Sequence, residues 1–169
     1  FGPIPMNRRE AIFAGISTFA AAVATAPAAF AADDKDTPKE FAEIVPVLKK
    51  HDDAFTNHDL AGVLGTFATK NVVVGTGPGE LWSGTGELTT AYENFFKGFD
   101  KGQNDYEARH RIGAVNGDTA WIVSAGDCKA KKDGKDVSYP VNLSFSLVKE
   151  GGAWKIAVLH FSTFASDKS

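Results

Sequence analysis

From Phe41 onward the apolar residues recur at helical spacing. Phe41, Ile44, Val45, Leu48, His51 and Phe55 fall on one stripe, which predicts an amphipathic helix laid against a core. Thr37-Pro38-Lys39-Glu40, just before it, has the form of a capping box with proline at the first helical position. Pro46 lies inside the stripe and is expected to kink or restart the helix, because its ring blocks the carbonyl one turn back. Asp59 is placed to cap a second helix with the stripe Leu60, Val63, Leu64 and Phe67. A short apolar strand follows at residues 72–74. A glycine-rich loop over 75–86 holds Pro78 and Trp82, and a third helix carries Leu88, Ala91, Tyr92, Phe95 and Phe99 on one face.

The second half changes period. Asn116-Gly117, Asp133-Gly134 and Gly151-Gly152 are tight-turn signals, and they separate four expected strands, 105–115, 119–131, 136–149 and 153–164. Consecutive hairpins make an antiparallel meander. Helices first and a meander afterwards is an α+β arrangement, with the helices covering one face of the sheet. The last strand, from Trp154 to Phe164, reads as apolar on both faces. One face can cover the helices; the other predicts a homodimer or larger homo-oligomer formed through the sheet.

The first forty residues follow neither period. Met6 is the single methionine, so residues 1–5 read as an expression remnant. Asn7-Arg8-Arg9-Glu10 precedes an alanine-rich apolar run that ends in Ala29-Phe30-Ala31. A charged start, a short apolar stretch and a small-x-small site make residues 6–31 a signal peptide to be removed, and place the mature chain in the periplasm or outside the cell. The paired arginines suggest the twin-arginine route. The alternative is a membrane anchor, for which Gly15, Ser17, Thr18, Thr25 and Pro27 make a poor span of about 20 strongly apolar residues. Residues 32–36 form a charged linker, and the folded domain is expected over 37–165.

Composition narrows the partners. The chain of 169 residues is 43% hydrophobic and 23% charged, as a globular domain should be. Its net charge is −3, and no basic stripe offers a nucleic-acid surface. Cys128 is the single cysteine, so no internal disulfide can form. No metal or cofactor is expected: HExxH, a phosphate-binding loop and a nucleophile elbow are all missing, and Gly75-Thr76-Gly77-Pro78-Gly79 leads into Glu80-Leu81-Trp82 rather than a lysine-bearing helix.

Several local marks then appear in order: Asn57-His58-Asp59-Leu60 with Phe67-Ala68, Asn71-Val72-Val73-Val74, Trp82-Ser83-Gly84, and a tail of Trp154, His160, Phe161 and Ser162. Over residues 40–164 this order resembles the SnoaL-like branch of the nuclear transport factor 2-like, or ketosteroid isomerase-like, superfamily. The W-x5-H-x-S tail is also similar to the association domain of calcium/calmodulin-dependent kinases. The resemblance implies a cone-shaped curved antiparallel sheet packed on three N-terminal helices, a pocket between them, and frequent dimers. It implies no single function, since the same shell hosts isomerases, cyclases, dehydratases, transport factors and assembly hubs.

His51 is the leading candidate for chemistry. An imidazole on an apolar stripe is either an acid, base or donor in a pocket, or a core histidine satisfied by a carbonyl. By resemblance it occupies the place of the oxyanion-hole tyrosine of ketosteroid isomerases. Their carboxylate base, however, would fall at Val74-Gly75-Thr76-Gly77, where there is no acid. Their second donor would match Asn142, which the alternation of Val141, Leu143, Phe145 and Leu147 puts on the opposite strand face. Asp127 becomes a base if buried and a solvated residue if not. His160 matches the family's tail histidine and shares a face with Val158 and Ser162. Arg109 and Arg111 share a strand face and could hold a carboxylate, or simply be solvated. Phe55, Trp82, Tyr92 and Phe96 could wall an apolar ligand pocket, or be ordinary core. His51, Asp52 and Asp53 are adjacent on a helix and diverge, so they do not form a metal site.

Three readings follow. The first is an exported domain binding a small apolar or weakly acidic molecule. The second is a cofactor-independent isomerase, cyclase or dehydratase, which requires an inward His51 beside another polar group. The third is an oligomeric scaffold with a filled pocket.

Overall fold

The computed structural model describes residues 41–163. The expected signal segment, linker and capping box lie outside the described residues. Phe41 to Ile44 form a tight turn, with the Ile44 amide donating to the Phe41 carbonyl at 2.9 Å. Helix α1, Val45–Thr56, then begins with Pro46 in its first turn. Proline thus restarts the helix where a missing N–H costs nothing. Asp59 caps α2, Leu60–Leu64, its carboxylate accepting from the Gly62 amide at 2.9 Å.

Phe67 is not the end of α2, as its spacing predicts, but the first residue of strand β1, Phe67–Val74. The glycine-rich stretch is likewise less irregular than its composition suggests. It contains a three-residue strand β2, Leu81–Ser83, and the first turn of α3, Gly84–Phe95. Asn71 makes that junction: Ser83 Oγ donates to its carbonyl at 3.0 Å, and its side-chain oxygen accepts from the Gly84 amide at 3.0 Å. A 3-10 turn, Phe96–Gly98, leads into the meander.

The meander is β3 (Asn104–Asn116), β4 (Thr119–Lys132), β5 (Lys135–Glu150) and β6 (Ala153–Ser162). Asp133-Gly134 and Gly151-Gly152 have positive φ at both loop positions, the geometry that matches the twist of two-residue hairpins. The sheet order is β2-β1-β6-β5-β4-β3. The sheet is mixed rather than wholly antiparallel, because β1 runs parallel to β6. This is an open α+β fold with the helices on one face.

Two bulges decide which residues face the helices. One falls between Ala108 and His110, where Arg109 is the extra residue; the other leaves Ala157 unpaired between Ile156 and Val158. Each flips the alternation of its strand. In β6 the inward set is therefore Trp154 and Ile156 before the bulge, then Leu159 and Phe161 after it. The apparent two-sided apolarity of β6 is one face read across a change of parity. On the outer face, Ile112, Trp121 and Val123 remain exposed.

Candidate functional site

The interior between helices and sheet is an aromatic shell around one polar pair. Leu48, His51 and Phe55 lie on the inner stripe of α1, and Tyr92 on the inner stripe of α3. His51 Nε2 meets the Tyr92 hydroxyl at 2.7 Å. Only 7% of His51 and 1% of Tyr92 is exposed, so neither can rely on water to satisfy it. Phe67 and Phe145 stand edge-on to the imidazole at 5.7 and 6.2 Å, and Phe55 stacks on it at 6.2 Å.

This surrounding sets the charge. Burial pulls the His51 imidazole down to about 4 and pushes the Tyr92 phenol up. At neutral pH both are uncharged. If Nε2 carries the proton, the Tyr92 hydroxyl hydrogen is free for a ligand's acceptor; in the other tautomer, the hydroxyl oxygen has lone pairs to offer. A molecule that reached this pair would meet two neutral hydrogen-bonding groups in apolar surroundings.

The sequence candidates divide between this interior and the opposite face. Phe55, Tyr92 and Phe96 lie in the shell. Trp82 packs on Phe95 at 5.3 Å, and Phe95 on Phe161 at 5.5 Å, which extends the shell toward β6. Asp127 does not point inward; it forms an ion pair with Arg109 on the outer face. His160 is exposed on that face, opposite Ser144. Asn142 is also exposed there and borders a small hollow of about 100 Å³ with Arg109, Pro140 and Ser162. Arg109 and Arg111 do not share a face, because the bulge separates them: Arg111 pairs in register with the buried Ser124. The structure thus brings His51 together with neither Asp127 nor His160. Its polar partner is Tyr92, which the apolar stripe of α3 had placed in a pocket wall.

Where ketosteroid isomerases carry a base, the nearest acid here is Glu80, which folds back on its own turn. Its carboxylate accepts from the Gly77 amide at 2.8 Å, and its carbonyl from the Gly75 amide at 2.9 Å. A side chain at Gly75 would collide with it, and one at Gly77 would crowd it. A larger surface hollow, about 480 Å³, lies outside the cone between α1 and α2, bordered by Lys49, Lys50, Asp53 and Asp59. Among the described residues no group of three His, Cys, Asp or Glu side chains converges as a metal site would require. Among them, too, no helix is long and apolar enough to cross a membrane.

Asp52, weighed in the sequence only as part of a metal site and dismissed, has a perturbed carboxyl. It is half-buried beside the shell, and burial, with the charge of Asp105 next, pushes its carboxyl up to about 7.

Fold and site together define a helix-covered sheet with an aromatic interior and one neutral polar pair. Residues 44–166 match the sequence model of the SnoaL-like domain, and the chain belongs to that family, within the nuclear transport factor 2-like superfamily. Among solved structures it is similar to a ketosteroid isomerase-like protein from Erwinia carotovora atroseptica. The two are 25% identical, with a TM-score of 0.59 over 75% of this chain and 98% of that one. A structure from Streptomyces avermitilis, described as a proposed dehydratase of the same superfamily, is 16% identical with a TM-score of 0.64, over 75% and 98%. A proposed calcium/calmodulin-dependent protein kinase II association domain from Xanthomonas campestris is 17% identical with a TM-score of 0.66, over 78% and 92%. The last two likenesses concern the fold alone. No curated protein matches the chain significantly.

Proposed function

We propose that this SnoaL-like domain is exported and binds a small, largely apolar molecule in its interior, holding one uncharged or weakly acidic polar group at His51 and Tyr92. The observation that carries this reading is the neutral pair at 2.7 Å inside an aromatic shell. A buried neutral pair favours the neutral form of whatever it binds. Export is supported by the charged start, apolar run and Ala29-Phe30-Ala31 site of the sequence.

Native mass spectrometry of the gently purified chain, with and without residues 1–31, tests the reading. A co-purified apolar compound, or bound Nile red, is expected on both forms and lost from His51→Phe and Tyr92→Phe. Equal retention by both variants, or no retention by the parent chain, overturns it.

The second reading is a cofactor-independent isomerase or dehydratase. It is favoured by the inward His51 with a polar partner and by the 25%-identical isomerase-like structure. It requires proton transfer at His51, whose imidazole, held near 4, is a weak base at neutral pH. Turnover of the co-purified compound would establish it. We further propose a homodimer through the outer sheet face, because Ile112 (65% exposed), Trp121 (41%) and Val123 (39%) form an adjoining apolar group there.

A further inference from the structure

Arg109 is the extra residue of the β3 bulge, with no partner of its own on β4. Its side chain lies on the outer face, where Nη1 donates to the Asp127 carboxylate of β4. That ion pair fixes the guanidinium in place and leaves its other N–H donors unspent. Beside it the outer face dips. The register sets His110, Ala125, Asn142 and Ser162 in one row across β3, β4, β5 and β6, and Ala125 is too short to fill the space between its longer neighbours. The hollow of about 100 Å³ opens there, bordered by Arg109 from β3, Asn142 from β5 and Ser162 from β6. Pro140 supplies part of the rim, its carbonyl already accepting from Thr163 Oγ1 at 2.6 Å. Among the described residues, neither the Asn142 amide nor the Ser162 hydroxyl is engaged in a side-chain hydrogen bond. Guanidinium, amide and hydroxyl thus converge with an excess of donors, which a group made only of acceptors satisfies.

We propose that this hollow binds a small monocarboxylate, whose oxygens accept from the Arg109 guanidinium, the Asn142 amide and the Ser162 hydroxyl. It lies on the opposite side of the sheet from His51 and Tyr92 and does not rest on the binding function proposed for that interior. A carboxylate accepts without donating, and its planar pair of oxygens matches the guanidinium fork. Asp127 limits the charge. It offsets part of the guanidinium's field, so a single negative charge is held while a dianion such as sulfate is repelled. The volume limits the size: a carboxylate head fits, and the rest of the molecule must extend over the sheet. Val123 is the next residue on the outer face of β4 beyond Ala125 and is exposed there. An acid with a short aliphatic tail lying toward Val123 is therefore the favoured class of ligand.

Titration of the isotopically labelled full chain with sodium propionate, followed by NMR at ionic strength held constant with sodium chloride, tests the site. The Asn142 side-chain NH2, the Arg109 Nε–H and the backbone amides of Ser162 and Thr163 should shift together on one saturable curve. The amides of Leu88 and Tyr92 in α3 should stay in place. Arg109→Lys keeps the charge but loses the fork, and should weaken binding by ~tenfold. Asn142→Ala should weaken it severalfold. Asp127→Asn should tighten it and admit sulfate, which the parent chain repels. N-acetylalanine and its amide form a second arm. Tighter binding of N-acetylalanine than of propionate makes a polypeptide C-terminus the source of the carboxylate, and the reverse makes it a free acid. Shifts that never saturate, equal shifts with sodium chloride alone, or sulfate bound as tightly as propionate each overturn the proposal. So does full affinity in both Arg109→Lys and Asn142→Ala, or an amide bound as well as its acid.

Discussion

His51 and Asp52 are neighbours on one helix, and they push the stability of the domain in opposite directions with pH. For His51 the folded value is depressed, from 6.5 to about 4. Below 6.5 the unfolded chain takes a proton that the folded one refuses, so this stability is present above 6.5 and lost as pH falls toward 4. Asp52 is raised, from 3.8 to about 7. Its contribution is present below 3.8 and lost as pH rises through about 7. At about 1.4 kcal/mol per unit, the shifts correspond at most to about 3 kcal/mol for His51 and about 4 kcal/mol for Asp52. Partial solvation of Asp52 brings its share to roughly half. Between about pH 4 and 6.5 the two slopes oppose each other, so the parent domain should show a weaker pH dependence from this pair than it would with His51 alone. The variants should separate them. Asp52→Asn should gain stability with rising pH by up to about 1.4 kcal/mol per unit, and His51→Phe should lose it, at roughly half that rate. Urea unfolding followed by tryptophan fluorescence at half-unit steps measures both, since Trp154 is buried in the core. The comparison is of slopes, so the separate cost of removing the His51–Tyr92 bond drops out. Parallel curves for the two variants would refute the assignment of these charges.

Three further outcomes are expected. Tyr92→Phe keeps the ring but leaves His51 Nε2 buried without its 2.7 Å partner; guanidinium unfolding should show a loss of about 1–3 kcal/mol, and no loss would mean that water reaches the imidazole. Gly126→Ala would set a methyl on the Glu107 carbonyl oxygen and against Ala108 of the adjoining backbone, and thermal unfolding should report about 1–3 kcal/mol of destabilisation, against no change if β3 moves aside freely. Trp121→Glu combined with Ile112→Lys should lower the sedimentation coefficient of a dimer formed through the outer face without changing the circular dichroism spectrum, whereas an unchanged coefficient would place any interface elsewhere.

Much of the fold was legible because its signals are local. The meander follows from three dipeptide turns whose residues tolerate positive φ, and its strands end within a few residues of the expected positions. Asp59 announces α2 through a bond made three residues away. The misreadings have local causes as well. Phe67 continues the helical spacing of α2, but the Gly65 amide already closes the helix on the Ala61 carbonyl at 2.9 Å, and the chain turns into β1. Glycines at 84 and 86 look like loop, yet Asn71 fastens the chain there and α3 starts.

What the sequence by itself determined is the order of elements, the inner stripes of α1 and α3, and His51 as an imidazole facing apolar neighbours. These depend on periodicity and on turn chemistry within a few residues of each position. The tertiary structure alone decided the rest. It set β1 parallel to β6, placed a bulge at Arg109 that turned Arg109 and Arg111 to opposite faces, and placed another at Ala157 that changed the parity of β6. It gave His51 a partner 41 residues away and left the carboxyl of Asp52 partly buried within reach of the charge of Asp105. Pairing between distant strands, parity changes imposed by packing, and burial all depend on what the chain meets across space, and no spacing along the chain encodes that.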